Sequence, residues 1–189
     1  IITDHHLPGS ELPPAFAVVN PHRADCLYPD KDLAGVGVAF KLVQALRKIE
    51  ENCLWADDLD IAALGTVADL VPLVGENRKI VQMGLARMSE NPCPGIQALI
   101  EVSGLAEKKI NTGMVGFQLA PRLNAAGRLE TAGRGVNLLL SEDTGETVSI
   151  AGELNELNTE RRDLEQEILT EAEGMLADFT PDVPAIVVA

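Results

Sequence analysis

Over residues 143–179, apolar side chains recur at spacings of three, four or seven: Ile150, Leu154, Leu157, Leu164, Ile168, Met175 and Phe179. That periodicity puts one apolar stripe on an α-helix, and at 1.5 Å per residue the helix is roughly 50 Å long. Such a helix is longer than a small domain is wide, so it either pairs in a coiled coil or connects two bodies. Arg161 interrupts the stripe, and Thr180-Pro181-Asp182-Val183-Pro184 leads into a fresh apolar strand, Ala185-Ile186-Val187-Val188-Ala189. A connecting helix over 142–180, with a second domain opening at 181–189, fits this order better than a coiled coil. The chain starts in one strand-like run and stops in another, which suits a piece of a longer soluble protein.

Ahead of the connector the pattern is α/β. Ile1-Ile2-Thr3-Asp4-His5-His6 is an apolar run ending in a carboxylate and two imidazoles. It has the form of a parallel strand delivering polar groups beyond its carboxyl end, where open α/β sheets bind ligands. Neutral imidazole is a common ligand for divalent transition metals. Pro8 and Gly9 follow at once, so a solvated turn is the alternative. A second stretch, 63–73, favours the ligand reading: Asp69 stands among Val67, Ala68, Leu70 and Val71. A carboxylate buried among such neighbours needs a cation or a donor.

The remaining elements alternate accordingly. Residues 16–20 predict a short strand closed by a Pro21-His22 turn, with His22 a turn residue rather than a ligand. Asp32 is a candidate N-cap for a helix to residue 49 that buries Val36, Phe40, Val43 and Leu46. Gly35 and Gly37 weaken its first turn, by roughly 1 kcal/mol each relative to Ala, in favour of close packing. Asp57 or Asp58 caps the next helix, with Asp60 in the same polar start, and Gly65 ends or bends it. Helices are predicted over 76–89 and 96–103, the second opened by Pro94 and closed by Gly104. From Thr112 a further helix meets Pro121, which should stop or kink it and present Arg122, Asn124 and Arg128 on irregular backbone. Forked guanidinium donors beside a small Ala-Ala-Gly backbone suit phosphate oxygens; pairing of both arginines with structural carboxylates is the alternative.

The net charge of −14 speaks against a nucleic-acid partner until its placement is considered. Residues 142–178 hold twelve acids against Arg161 and Arg162, a net of −10 that leaves −4 for the rest of the chain. Over 111–141 the balance turns positive, with Arg122, Arg128 and Arg134 against Glu130. A polyanion would meet that patch while the acidic helix faces away. Cys26, Cys53 and Cys93 show no CxxC spacing and no even framework, which points to a reducing compartment without disulfides. No apolar run reaches membrane-spanning length, so a cytoplasmic protein is expected.

Thr3-Asp4-His5-His6 resembles the third, name-giving motif of the DHH phosphoesterases, and Gly65-Thr66-Val67-Ala68-Asp69 with Pro72-Leu73 resembles the fourth. Pro121-Arg122-Leu123-Asn124-Ala125-Ala126-Gly127-Arg128-Leu129 is similar to a segment of the RecJ-type single-strand-specific exonucleases within that family. The resemblance implies that 1–141 is the C-terminal part of a DHH domain and that 181–189 begins a DHHA1-like domain. It implies metal-dependent 5'→3' hydrolysis of single-stranded DNA in repair and recombination, with two divalent cations, Mn2+ or Mg2+, and repair or replication proteins as further partners. His5 and Asp69 would be metal ligands, His6 would face the scissile phosphate, and Asp4 would orient the imidazoles from behind. Arg122, Asn124 and Arg128 would hold the nucleic acid; Asn158 and Arg161 also match recurring positions. The family's first two motifs, which supply further aspartates, have no counterpart here, so the chain should hold a partial site and be inactive alone. A phosphodiesterase of short oligonucleotides or cyclic dinucleotides is the alternative enzyme, and a non-catalytic DHH-like binding module the alternative outside catalysis.

Overall fold

The computed structural model describes residues 1–49, 57–126 and 132–176. Cys53, Arg128, Leu129, Phe179 and the 185–189 strand lie outside the described residues. Two strands, β1 (Ile2–Thr3) and β2 (Val18–Val19), pair in parallel with Ile2 opposite Val18 and Thr3 opposite Val19. The ladder extends one step each way, Ile2 N–H donating to the Ala17 carbonyl at 2.9 Å and Asp4 N–H to that of Val19 at 3.1 Å. The strand predicted over 16–20 shrinks to its middle, and Phe16 stands 98% exposed instead of entering the sheet.

Eight helical segments follow among the described residues, giving a mostly helical α/β fold with a small parallel sheet: α1 (Gly35–Ile49), α2 (Leu59–Ala68), α3 (Gly75–Glu90), α4 (Pro94–Val102), α5 (Thr112–Met114), α6 (Ala120–Ala126), α7 (Ala132–Leu140) and α8 (Thr144–Met175). Asp32 does not cap α1. Leu33 and Ala34 are buried in an extended lead-in, and the first helical bond runs from Val38 N–H to the Ala34 carbonyl. Nor does Gly65 end α2, which continues to Ala68. A Cβ at Gly65 would lie 2.8 Å from Val36 Cγ1, so glycine is there to let α1 and α2 approach.

The acids at the start of α2 are not caps either. Asp58 makes no capping hydrogen bond and pairs with Arg47 at 2.7 Å, while Asp57 sits 3.9 Å from Arg87. Asp60 is fully buried, because the turn before α4 folds over it. Its carboxylate accepts the Cys93 N–H at 2.7 Å and the Ile61 N–H at 3.0 Å, with Arg87 Nε at 3.6 Å. Backbone donors and a nearby cation supply the compensation a buried charge requires.

Pro121 does not stop its helix. Between α5 and α6 the backbone widens into a π turn, Val115–Leu119, and the chain remains helical through Pro121 to Ala126. Proline lacks the N–H that a regular ladder would use, and a π turn just upstream moves the ladder past that position. Arg122 and Asn124 therefore sit on helix rather than on irregular backbone.

The main core gathers Leu64 of α2, Met88 of α3, Leu99 of α4, Leu119, Leu138 of α7, and Ile150 and Leu154 of α8. A smaller cluster of Leu33, Phe40, Leu59 and Ile80 fixes α1 against α2 and α3. Helix α8 is capped by Asp143, whose Oδ1 accepts the Gly145 and Glu146 N–H groups at 2.7 and 3.0 Å. Its 32 residues span about 48 Å. Only the first half of its stripe is covered: Ile150 and Leu154 are buried, whereas Leu164 and Ile168 are each 57% exposed.

Candidate metal centre and phosphate-binding face

Residue Asp69 occupies the C-terminal end of α2, where its backbone N–H closes on the Gly65 carbonyl at 3.0 Å. The sequence placed it in an apolar interior; the structure exposes it, because the chain reverses at once through Leu70, whose φ is +58°. A carboxylate at a helix C-terminus faces the negative end of the macrodipole, so it gains from a nearby cation or donor. His5, leaving β1, supplies one: its Nε2 lies 3.4 Å from Asp69 Oδ2. The His5 ring rests on Gly35, where a Cβ would be 3.3 Å from its Cδ2. His5, Asp69, Gly35, Val36, Gly65 and Asn124 share one open cavity of about 460 Å³.

The neighbouring pair, Asp4 and His6, forms a tight turn beside it, with the His6 ring centroid 4.3 Å from that of His5. Asp4 Oδ1 accepts the backbone N–H groups of His5 and His6 at 2.8 and 3.3 Å and lies 2.8 Å from His6 Nδ1. The hydrogen bonds from the His6 ring and backbone hold the Asp4 carboxyl below its usual value. Asp4 thus meets the ring of His6 and the backbone N–H of His5, and His6 remains largely exposed to solvent. Asn20, missed in the sequence, is buried behind this turn: its amide donates to the His6 carbonyl at 2.9 Å and its oxygen accepts the His22 N–H at 2.8 Å. An Asn directly before Pro-His at the end of a strand run was the available signal. His22 is a turn residue, as its sequence context suggested.

The arginine face is built differently. Arg122 is half-buried between α6 and α8, its Nε donating to Asn155 Oδ1 at 3.0 Å and its Nη1 to the Gln118 carbonyl at 2.6 Å. No carboxylate pairs with it among the described residues, so the structural ion pair considered from sequence is absent there. Burial, and then the nearby Arg162, lower its guanidinium below the ordinary value. Asn124, two residues on, points to the other side and lines the cavity of His5 and Asp69. Farther along α8, buried Asn158 accepts from Arg161 Nη2 at 3.2 Å.

The donors present fit part of a divalent-cation centre. An imidazole nitrogen and a carboxylate oxygen converge on an open cavity, which is the chemistry such an ion takes, but no group of three or more His, Cys, Asp or Glu forms a cage among the described residues. No described helix is long and apolar enough to cross a membrane.

Comparison with known proteins gives a consistent picture. Residues 1–66 match the family described as "DHH family, N-terminal domain". The single-stranded-DNA-specific exonuclease RecJ of Bacillus subtilis is 49% identical over 189 residues, covering all of this chain and 24% of the relative. Its Escherichia coli namesake is 47% identical over 184 residues, covering 91% of this chain and 32% of the relative. The crystal structure of RecJ in complex with Mn2+ from Thermus thermophilus superposes with a TM-score of 0.82 at 38% identity, over 98% of this chain and 27% of that one. A crystal structure of exonuclease RecJ bound to manganese gives 0.81 at 38% identity, over 98% and 46%. The chain therefore spans about a quarter to a third of the length of these curated relatives.

Proposed function

We propose that this chain belongs to the DHH family, whose N-terminal-domain model matches residues 1–66, and forms part of a metal-dependent exonuclease that hydrolyses single-stranded DNA in the 5'→3' direction, in repair and recombination. The carrying observation is the approach of His5 Nε2 to Asp69 Oδ2, 3.4 Å, which joins two segments distant in sequence at one open cavity. His5 and Asp69 would hold Mn2+ or Mg2+, with aspartates from elsewhere in the full-length protein completing the centre. Bound there, divalent cations supply water activation and charge stabilisation at a phosphodiester. His6, held in one orientation by Asp4, offers an imidazole toward the scissile phosphate. Asn124 sets an uncharged amide at the same cavity, and Arg122 and Arg128 would hold the nucleic acid as cationic donors. The Arg122 to Leu129 block favours a polymeric substrate over a dinucleotide, since the RecJ-type exonucleases carry a similar segment.

In this reading residues 1–141 are the C-terminal part of the DHH domain, 142–180 the connector and 181–189 the start of a second, DHHA1-like domain. The protein works in the cytoplasm, beside other repair or replication proteins. The 189 residues alone, with two ligands and no cage among the described residues, turn over almost nothing. The test is an assay of the full-length protein on labelled single-stranded DNA, duplex DNA and dinucleotides, with and without chelator. Chelator-sensitive shortening of the single strand is expected; activity that survives chelation or prefers duplex refutes the proposal, and preference for dinucleotides selects the alternative enzyme.

A further inference from the structure

We propose that Asn77 is a positioning residue that clamps the two walls of the His5–Asp69 cavity together, an inference that rests on the metal-site reading above. Asn77 sits in the first turn of α3, is 0% exposed, and is not among the residues lining the cavity of His5 and Asp69. An amide NH2 has two donors, and Asn77 spends both on backbone carbonyls from different segments: Asp32 at 2.7 Å and Pro72 at 3.1 Å. Asp32 lies three residues ahead of Gly35, on which the His5 ring rests. Pro72 lies three residues beyond Asp69, at the far side of the Leu70 reversal. One uncharged side chain thereby fixes the distance between the segment behind the imidazole and the segment leaving the carboxylate.

The residues before it reinforce one wall only. Gly75 has φ +51°, and a Cβ there would fall 2.4 Å from Asp30 Oδ2, the oxygen that accepts the Glu76 N–H at 2.7 Å. Glu76 accepts the Tyr28 hydroxyl hydrogen bond and pairs with Lys41 of α1 at 3.1 Å. Gly75 and Glu76 tie α3 to the lead-in and body of α1; of these three neighbours, Asn77 also bonds to the segment that follows Asp69. Its own Oδ1 is buried without a partner, so the position uses the amide for its two donors. Aspartate would set a charge against two carbonyls, and serine carries a single donor.

Full-length Asn77→Ala, Asn77→Ser and, as a control in the core away from the cavity, Ile96→Val would be compared with wild type in two measurements. In metal-free hydrogen–deuterium exchange, Asn77→Ala should speed exchange in both 30–36 and 69–74 while α4 and α8 keep their protection. In calorimetric titration with Mn2+ alone, affinity should fall about tenfold, with kcat falling similarly and the KM for single-stranded DNA unchanged. Asn77→Ser should fall between, and Ile96→Val should lower Tm without moving either readout. The proposal is overturned if Asn77→Ala lowers Tm yet leaves exchange in either segment and Mn2+ affinity at wild-type values. A His5→Ala variant that keeps full Mn2+ affinity would refute the metal-site reading instead, and the metal-free exchange would still decide the clamp.

Discussion

The His5–Asp69 cavity and the Arg122 face lie on opposite sides of one helix, and they use polar side chains in opposite ways. In the cavity, His5, Asp69 and Asn124 end on open space, and their main protein contact is the 3.4 Å approach between the first two. At the arginine face, Arg122 is already engaged by Asn155 and the Gln118 carbonyl, so its guanidinium fastens α6 to α8 before any ligand arrives. A residue with spare bonding capacity in an open cavity can change partner cheaply. One that joins two helices carries stability and binding together, and substitution moves both.

The largest expected effect is at the cavity. In the full-length protein Asp69→Ala should cut turnover by about 10²-fold or more, leaving metal-free binding of single-stranded DNA nearly intact and Tm little changed, because the side chain is exposed and the α2 bond to Gly65 is made by backbone. Equal losses of DNA affinity and turnover would abolish the distinction between the two regions.

The two arginines of the Arg122 to Leu129 segment should respond differently. Arg128→Ala should lower affinity for single-stranded DNA about ten- to a hundredfold and make its salt dependence shallower, from loss of a charge-assisted contact worth roughly 1.5–3 kcal/mol. Arg122→Ala should cost about tenfold in affinity and also lower Tm by several degrees, since its bond to Asn155 of α8 and its bond to the Gln118 carbonyl one turn back both go with it. Arg122→Lys sharpens the point: the charge remains, so most of the salt slope should survive, but the fork that spans Asn155 and Gln118 is lost and Tm should still drop. If Arg122→Ala changes Tm and leaves affinity and salt slope alone, that arginine is purely structural.

The sequence showed the pieces of the cavity better than their surroundings. Short motifs carry His5 and Asp69 because the residue types are unusual in apolar runs, and helical spacing exposed α3, α4 and α8 to within a few residues. What could not be read were long-range partners. Asp60 looked like a solvated first-turn acid, because nothing local shows that the Cys93 turn closes over it. Pro121 looked like a helix stop, because the π turn that accommodates it depends on packing of Val115 and Leu119 in the core. Gly65 looked like punctuation, because Val36, its reason, lies on another helix. Asn77 gave no signal: a polar residue in a helix's first turn is ordinary until both of its donors are found on separate segments.

The smallest effect tests whether the cavity's openness depends on backbone strain. Leu70 holds φ +58° with its side chain 88% exposed, so a branched residue occupies a left-handed position without burying anything in return. That conformation costs roughly 1–2 kcal/mol for a residue with a Cβ, and glycine relieves it at the expense of about 0.5–1 kcal/mol of extra freedom in the unfolded chain. Leu70→Gly should therefore raise Tm by about 1–3 °C, read by calorimetry on the full-length protein. Mn2+ affinity should stay within about twofold, because the Asp69 N–H bond to Gly65 and the Asn77 bond to the Pro72 carbonyl hold the carboxylate's segment from both sides of the turn, whichever residue stands at position 70. A tenfold loss of affinity alongside the higher Tm would mean that the strained turn aims the carboxylate, and the cavity would then share the arginine face's coupling of stability to binding.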